Sequence, residues 1–349
     1  MVGPNAHARE VHQALKGLLV ILMLVYHAMS IASQAGPEAF RPLRFVTGAF
    51  IFLVGDSLGR QWVSVPKDSN GPSASRRGLR LVALFLGLNA MMAWSGWGNP
   101  DKQAWAQQAW PHVGDRWWAA LVMGESAAAS FAILWPIGVL LLCAPVLQWL
   151  GRKPGAEISG ACLMGLCLVV ASMSTWARRS GVLEMLLVGG TAMGLAASRG
   201  LFTRKELQAQ WPGFVSPGWA VVTVALGLHA VMQFPNSLTV YILGTAAILK
   251  GLQALLSAWH FASTRSLAGT GLQSALQTLG RMTLWAYVAQ IVLIQALRWA
   301  GGGARLPLGL PFWGWVTAIA VLLWALCTAL WIGRQQSVML DRAYRWVFP

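Results

Sequence analysis

Charged residues are scarce in this chain, and their scarcity excludes a water-soluble globular protein. Only 11% of the 349 residues are Asp, Glu, Lys or Arg, whereas 56% are hydrophobic and the mean hydropathy is +0.55. So few charged side chains cannot cover the surface of a soluble domain of this length. Acidic residues are the scarcest, at 11 against 26 Lys and Arg. In so hydrophobic a chain, this basic excess is better explained by its position around membrane spans than by nucleic-acid binding.

Cysteine is rare as well, and its placement argues against a metal site or a disulfide framework. The chain has four cysteines, with no Cys-x-x-Cys pair and no histidine at ligand spacing. All of them lie in apolar segments, where a free cysteine acts as a small apolar side chain. Internal repeats are also missing from the sequence, which disfavours a transporter built from inverted repeats.

Long apolar runs are abundant. A membrane-spanning helix needs about 20 apolar residues, and about ten segments of the chain are candidates. We therefore expect an all-α, polytopic integral membrane protein whose residues 1–349 form a single transmembrane domain. The first segment is too long for a cleaved signal peptide. The candidate spans are 13–34, 43–59, 78–95, 126–150, 156–175, 181–199, 216–234, 239–260, 276–299 and 312–333.

The positions of the basic residues predict the orientation of these spans. When the loops are assigned to alternate sides from a cytoplasmic N-terminus, most of the Lys and Arg residues fall on the cytoplasmic side. Both termini are then cytoplasmic. The segment 96–125, which is rich in Trp and poor in apolar runs, becomes the largest external loop.

Two polar residues of the first apolar segment, Lys16 and His27, are the main functional candidates. They are eleven residues apart, which returns to nearly the same face of a helix and separates them by roughly 16 Å along its axis. Placing an ionisable group in the hydrocarbon core is costly, so an intramembrane histidine marks a candidate functional site.

A cluster of three arginines, Arg76, Arg77 and Arg80, lies at the start of the third candidate span. Arg77 and Arg80 are three residues apart, so their guanidinium groups lie on neighbouring rows of one helix face. Each guanidinium can bind two phosphate oxygens at once. Positive-inside orientation alone also explains these arginines, and both interpretations remain open.

Four stretches of the chain resemble the membrane-bound acyltransferase 3 family. The first three are LKGLLVILMLVYH at 15–27, FVTGAFIFLVG at 45–55 and RRGLRL at 76–81. They are similar to the family's Arg-x10-His in the first helix, to its second helix and to its Arg-x-x-Arg before the third. A weaker match, LGRMTLWAYVAQ at 279–290, resembles a late helix that ends in His. The family's ten-helix count also agrees with the segments above.

The resemblance implies an O-acyltransferase of the bacterial inner membrane. Such an enzyme moves an acyl group, commonly acetyl, from cytoplasmic acyl-CoA to a hydroxyl of an exported or envelope glycan, and no metal is implied. By the resemblance, Arg76, Arg77, Arg80 and Lys16 would bind the donor's phosphates. His27 would act as general base or carry the acyl group as a relay. Asp56 is a candidate catalytic residue, or else one half of an ion pair with Lys16 or with the basic cluster.

Two alternatives to an active acyltransferase stay open. Lys16, His27, Asp56 and Lys250 could form the substrate or proton pathway of a transporter or flippase. The chain could instead be a degenerate acyltransferase homologue without turnover, because Lys16 stands for the family's Arg and Gln290 for its late His. Further candidates without a motif are Glu125, Glu184 and His229.

Overall fold

The computed structural model describes eleven stretches of the chain, and all regular structure within them is helical. These stretches are residues 4–32, 42–43, 45–64, 72–95, 133–151, 155–173, 181–198, 217–234, 237–263, 267–300 and 312–347. We number the helices α1 Pro4–Ala32, α2 Phe45–Ser64, α3 Pro72–Ser95, α4 Leu134–Gly151, α5 Ala156–Met173, α6 Gly181–Ala197, α7 Pro217–Gln233, α8 Leu238–Ser263, α9 Leu267–Arg281, α10 Thr283–Ala300, α11 Phe312–Gln336 and α12 Val338–Val347.

The expected all-α architecture is confirmed over the described residues, and the membrane assignment is supported in its coarse form. Three helices contain segments long and apolar enough to cross a membrane: Arg9–Met29, Leu238–Trp259 and Phe312–Gln336. Shorter apolar segments are Leu134–Val146, Glu157–Ser172, Leu183–Ala197, Gly218–Gln233 and Thr283–Ile294.

One predicted span differs from the structure in its continuity. The segment 276–299 is divided at Met282 into α9 and α10. The Met282 amide is shared between the carbonyls of Thr278 and Leu279, both at 3.2 Å, and the Thr283 hydroxyl donates to the Gly280 carbonyl at 2.5 Å. A shared amide and a local side-chain bond are typical of a helix end. The predicted external loop 96–125 lies outside the described residues.

The chain divides into two compact units, which we describe separately. Unit 1 contains α1, α7, the second part of α8 and α9 to α12, and unit 2 contains α2 from Thr47, α3 to α6 and the first part of α8. Within unit 1, α1 packs against α9, α10 and α11. Within unit 2, α3 packs on α4, and α6 packs on α5 and α4.

Glycines hold α1 against α9 in unit 1. A side chain at Gly17 would collide with the backbone of Leu276, and one at Gly280 would collide with the backbone of Gln13. The residue numbers of the two contacts change in opposite directions, so the helices are antiparallel with their backbones in direct contact. Small residues that allow such approach are typical of packed membrane helices.

Farther along α1, Leu24 packs with Ile294 of α10 and with Trp315 and Ile319 of α11 in a buried apolar cluster. The second half of α1 thus packs against α10 and α11.

Unit 2 is assembled by the same kind of contact. A side chain at Gly55 would collide with the carbonyl of Gly189 on α6, and one at Gly59 would collide with Met193 one turn farther on. Similarly, a Cβ on Gly78 of α3 would stand 2.6 Å from the carbonyl oxygen of Gly138 on α4. These contacts determine which face of α2 and of α3 is turned away from the neighbouring helix.

The short terminal helix α12 is attached to the end of α11 through Arg334. The Nε and Nη2 atoms of Arg334 donate to Asp341 Oδ1 at 2.9 and 2.7 Å, and its guanidinium lies 3.8 Å from the ring centre of Tyr344. Arg345 forms a second ion pair with Asp341. The hydrogen bonds from Arg334 and Arg345 lower the pKa of Asp341, and burial raises the pKa of Tyr344 to about 12.

The glycine contacts predict opposite effects for two substitutions on α9. Gly280→Ala should lower the free energy of unfolding by about 1–3 kcal/mol, because the added methyl meets the Gln13 backbone. Gly271→Ala, whose Cβ meets nothing within 4 Å, should raise it by about 0.5–1 kcal/mol. Thermal unfolding of the full chain in detergent measures both, and equal effects would contradict the close packing of α1 on α9.

The anchoring of α12 should depend on pH in the acid range. Because the pKa of Asp341 is lowered in the folded state, the pairing is complete above the ordinary value of 3.8 and is lost as the pH falls through the lowered pKa of the folded state. As the pH is lowered, the rate of amide hydrogen exchange, corrected for its intrinsic pH dependence, should then rise several-fold in residues 338–347 before it rises in α11. In Asp341→Asn, exchange in α12 should be fast at neutral pH and respond little to acid. Protection of α12 that persists in the wild type, or acid sensitivity that persists in the variant, would contradict this assignment.

Candidate functional site

Lys16 and His27 lie on the single uninterrupted helix α1, as their spacing required. The helix keeps them roughly 16 Å apart along its axis. Both side chains are half-buried, and the Nε2 atom of His27 is shielded from solvent. The imidazole meets the Tyr26 ring edge-on, with the ring centres 5.4 Å apart. A cation and an imidazole thus occupy two depths of one mainly apolar helix.

Lys16 lies beside the close contact between α1 and α9. Its neighbours Leu15 and Leu19 are fully buried, and Gly17 brings the α9 backbone alongside. Among the residues that the structure describes, no carboxylate forms an ion pair with Lys16. A half-buried ammonium in such surroundings is suited to binding an anion.

Gln290 of α10 adds a polar group to the interior of unit 1. It is completely buried, and neither its amide oxygen nor its amide nitrogen has a hydrogen-bond partner within the described part of the chain. Gln290 lies one turn before Ile294, which packs against Leu24. A buried amide with both atoms unpaired costs about 1–3 kcal/mol.

Asp56 of α2 is in unit 2, and its carboxylate is paired within its own helix. Arg60 Nε donates to Asp56 Oδ2 at 2.9 Å, and Arg60 Nη2 contacts the same oxygen. The aspartate side chain is 4% exposed and the arginine side chain 51% exposed. The partners predicted for Asp56 were Lys16 and the basic cluster, and Arg60 was not among them. The four-residue spacing of Asp56 and Arg60 was the signal that could have identified it.

Arg76, Arg77 and Arg80 form one face of α3, which we call the arginine face. Gly78 packs on α4, and at 100° per residue the three arginines fall within about 100° of one another on the opposite side. Arg76 and Arg77 are exposed and Arg80 is half-exposed, in agreement with that geometry. Three guanidinium groups on one face can bind several phosphate oxygens together.

The candidates therefore divide between the units: Lys16 and His27 are in unit 1, and Asp56 and the arginine face are in unit 2. The other charged candidates are dispersed. His229 and Lys250 are exposed, with Lys250 Nζ 3.5 Å from Gln253 Oε1, and Glu184 is half-buried on α6. Glu125 lies outside the described residues. The described histidine, cysteine and acidic side chains contain no group of three that could hold a metal ion.

Comparison with known proteins gives no relative: no family model, no curated protein and no solved structure matches the chain. Its function must therefore be argued from the chemistry of its own residues.

The geometry of Asp56 predicts strong coupling with Arg60. Arg60→Gln removes a partner from a buried carboxylate, and Asp56→Asn removes the acceptor from the arginine, so each variant should unfold more easily. The double variant should lose less stability than the sum of the two, by about 0.5–3 kcal/mol, as expected for residues in contact. A double-mutant cycle by thermal unfolding measures this difference. Additive losses would contradict the ion pair.

Proposed function

We propose that this chain is an integral-membrane O-acyltransferase. It transfers an acyl group, with acetyl as the first candidate, from cytoplasmic acyl-CoA to a hydroxyl of an exported or envelope glycan. The proposal includes about ten membrane crossings, cytoplasmic termini and a place in a bacterial inner membrane. It rests on the resemblance of residues 15–27, 45–55 and 76–81 to the acyltransferase 3 family and on the chemistry of the residues described above.

The arginine face is the observation that carries the proposal. Coenzyme A bears a diphosphate and a further phosphate, and bidentate guanidinium groups are the side chains best matched to such anions. Arg76, Arg77 and Arg80 lie opposite the face of α3 that packs on α4, so they are not required for that packing. Arg76 and Arg77 are exposed, so their guanidinium groups are accessible to an anionic ligand.

Within unit 1, considered by itself, three polar groups suit the pantetheine arm of coenzyme A. Lys16 and His27 are half-buried on α1, and Gln290 is completely buried on α10. The pantetheine arm of coenzyme A is slender, contains two amides and is of the same order of length as the roughly 16 Å between Lys16 and His27. The unpaired amide of Gln290 can donate to and accept from such an amide. The thioester would then be held near His27.

His27 supplies the base for the transfer. A neutral imidazole takes the proton of the acceptor hydroxyl as its oxygen attacks the thioester carbonyl. A carbon–oxygen bond forms, the carbon–sulfur bond breaks, and the proton passes from His27 to the departing thiolate to give free coenzyme A. In the relay variant, the imidazole nitrogen accepts the acyl group first and the hydroxyl attacks afterwards. Asp56, which is paired with Arg60, has a structural part in unit 2 under this scheme.

Donor binding is testable without knowledge of the acceptor. Acetyl-CoA should raise the unfolding midpoint of the full chain in detergent, because a ligand that binds only the folded state stabilises it by about 2.7 kcal/mol at 100 times its dissociation constant. Arg77→Gln and Arg80→Gln should weaken binding about tenfold or more, since a hydrogen bond to a charged group contributes about 1.5–3 kcal/mol. Lys250→Gln, which removes an exposed cation from α8, is the matched control and should bind normally.

The same experiment separates the proposal from its alternatives. His27→Gln should still bind acetyl-CoA but transfer the acetyl group to glycan acceptors, with release of free coenzyme A, about 100-fold to 10,000-fold more slowly. If acetyl-CoA, succinyl-CoA and free CoA all leave the midpoint unchanged, the acyltransferase proposal fails and a transporter becomes the better hypothesis. Binding without turnover on any envelope glycan fraction, with activity gained in Lys16→Arg, would identify a degenerate homologue.

A further inference from the structure

The outer side of α12 is apolar and exposed, although this helix lies at the end of a membrane span. Val338, Met339 and Trp346 are 69%, 82% and 70% exposed. Met339 and Trp346 are seven residues apart and therefore share one face. The opposite face carries Leu340, Asp341 and Tyr344, which are used to attach α12 to α11.

This apolar face is in register with the exposed face of α11. Backbone bonds from Ser337 to Gly333 at 2.8 Å and from Asp341 to Ser337 at 3.0 Å carry the helical register through the junction. The exposed side chains of Val321 and Ile332 are then eleven residues apart, with Met339 and Trp346 following at intervals of seven. Steps of seven and eleven return to nearly the same helix direction. One exposed stripe, which we call the outer stripe, thus runs along α11 and onto α12.

The charge beside the outer stripe changes sharply at the junction. Within the apolar segment 312–333 there is no charged residue. In contrast, the last turn of α11 contains Arg334, and α12 contains Arg342 and Arg345 but only one acidic residue, Asp341. Arg342 is exposed and falls between Met339 and Trp346 on the helix surface. A tryptophan with adjacent arginines, immediately after a span, is typical of the headgroup layer of a membrane.

We propose that α12 lies in the headgroup layer of the bilayer and binds anionic phospholipid there. Met339 and Trp346 insert their apolar side chains beside the acyl chains. Arg342, between them, contacts the lipid phosphate. Anionic phospholipid is inferred as the ligand from the net positive charge of α12 and from the continuity of the outer stripe with the exposed side of a candidate span. This inference does not depend on the acyltransferase proposal.

Site-specific photo-crosslinking of the full chain tests this inference. A benzophenone amino acid replaces Met339, or Val321 as the matched control within the span, in vesicles of phosphatidylcholine containing a minority of phosphatidylglycerol. Both positions should give lipid adducts. At 339 the adducts should contain phosphatidylglycerol above its share in the vesicle, and at 321 they should match that share. Arg342→Gln should reduce the enrichment at 339 about fivefold, the effect of one basic residue near an anionic surface.

The contrary outcomes are equally distinct. If 321 gives lipid adducts and 339 gives none, α12 is not in the headgroup layer. If position 339 crosslinks to a protein in native membranes, the apolar face of α12 binds a protein partner and not a lipid. Enrichment unchanged by Arg342→Gln would overturn the anionic contact. Trp346→Phe provides an independent measure: brominated lipids should quench the wild type more strongly than the variant, and equal quenching would place Trp346 outside the bilayer. An unchanged unfolding midpoint establishes that each variant is folded.

Discussion

Direct backbone contact at glycine is the interaction on which the rest of this structure depends. Helices in a membrane cannot gain stability by leaving water for one another, because lipid is as apolar as they are. Their association relies on close packing. In unit 1 this packing occurs where Gly17 and Gly280 bring α1 and α9 together, and in unit 2 where Gly55 and Gly59 bring α2 onto α6. Each contact excludes even a methyl group, so each fixes the rotation of its helix.

Helix rotation in turn determines where the few charges point. Gly78 packs α3 on α4, and this leaves Arg76, Arg77 and Arg80 on the opposite face. Asp56 directly follows Gly55 on α2, whose glycines face α6. Its carboxylate is buried and pairs with Arg60, which lies one turn farther along the helix. The positions of the glycines thus determine the direction in which the nearby charged side chains point.

The sequence predicted the helical class well because hydrophobic runs of span length are a strong local signal. It predicted that Lys16 and His27 share a helix, since spacing alone decides that. It was wrong about the continuity of 276–299, which is broken at Met282 by hydrogen bonds among neighbouring residues. The contact of Gly280 with Gln13 and the complete burial of Gln290 could not be predicted, because both depend on helices far apart in the chain. The acyltransferase assignment remains a prediction.

The energetic cost of each polar residue separates structural candidates from functional ones. Asp56 is buried, but Arg60 compensates its charge within the same helix, so the fold alone accounts for the pair. Gln290 is different, because its completely buried amide costs about 1–3 kcal/mol and nothing described in the fold compensates it. The same argument applies to Lys16, a half-buried cation that no described carboxylate neutralises. The fold does not account for these two side chains as it does for Asp56, so both remain candidates for binding a ligand under the proposed function.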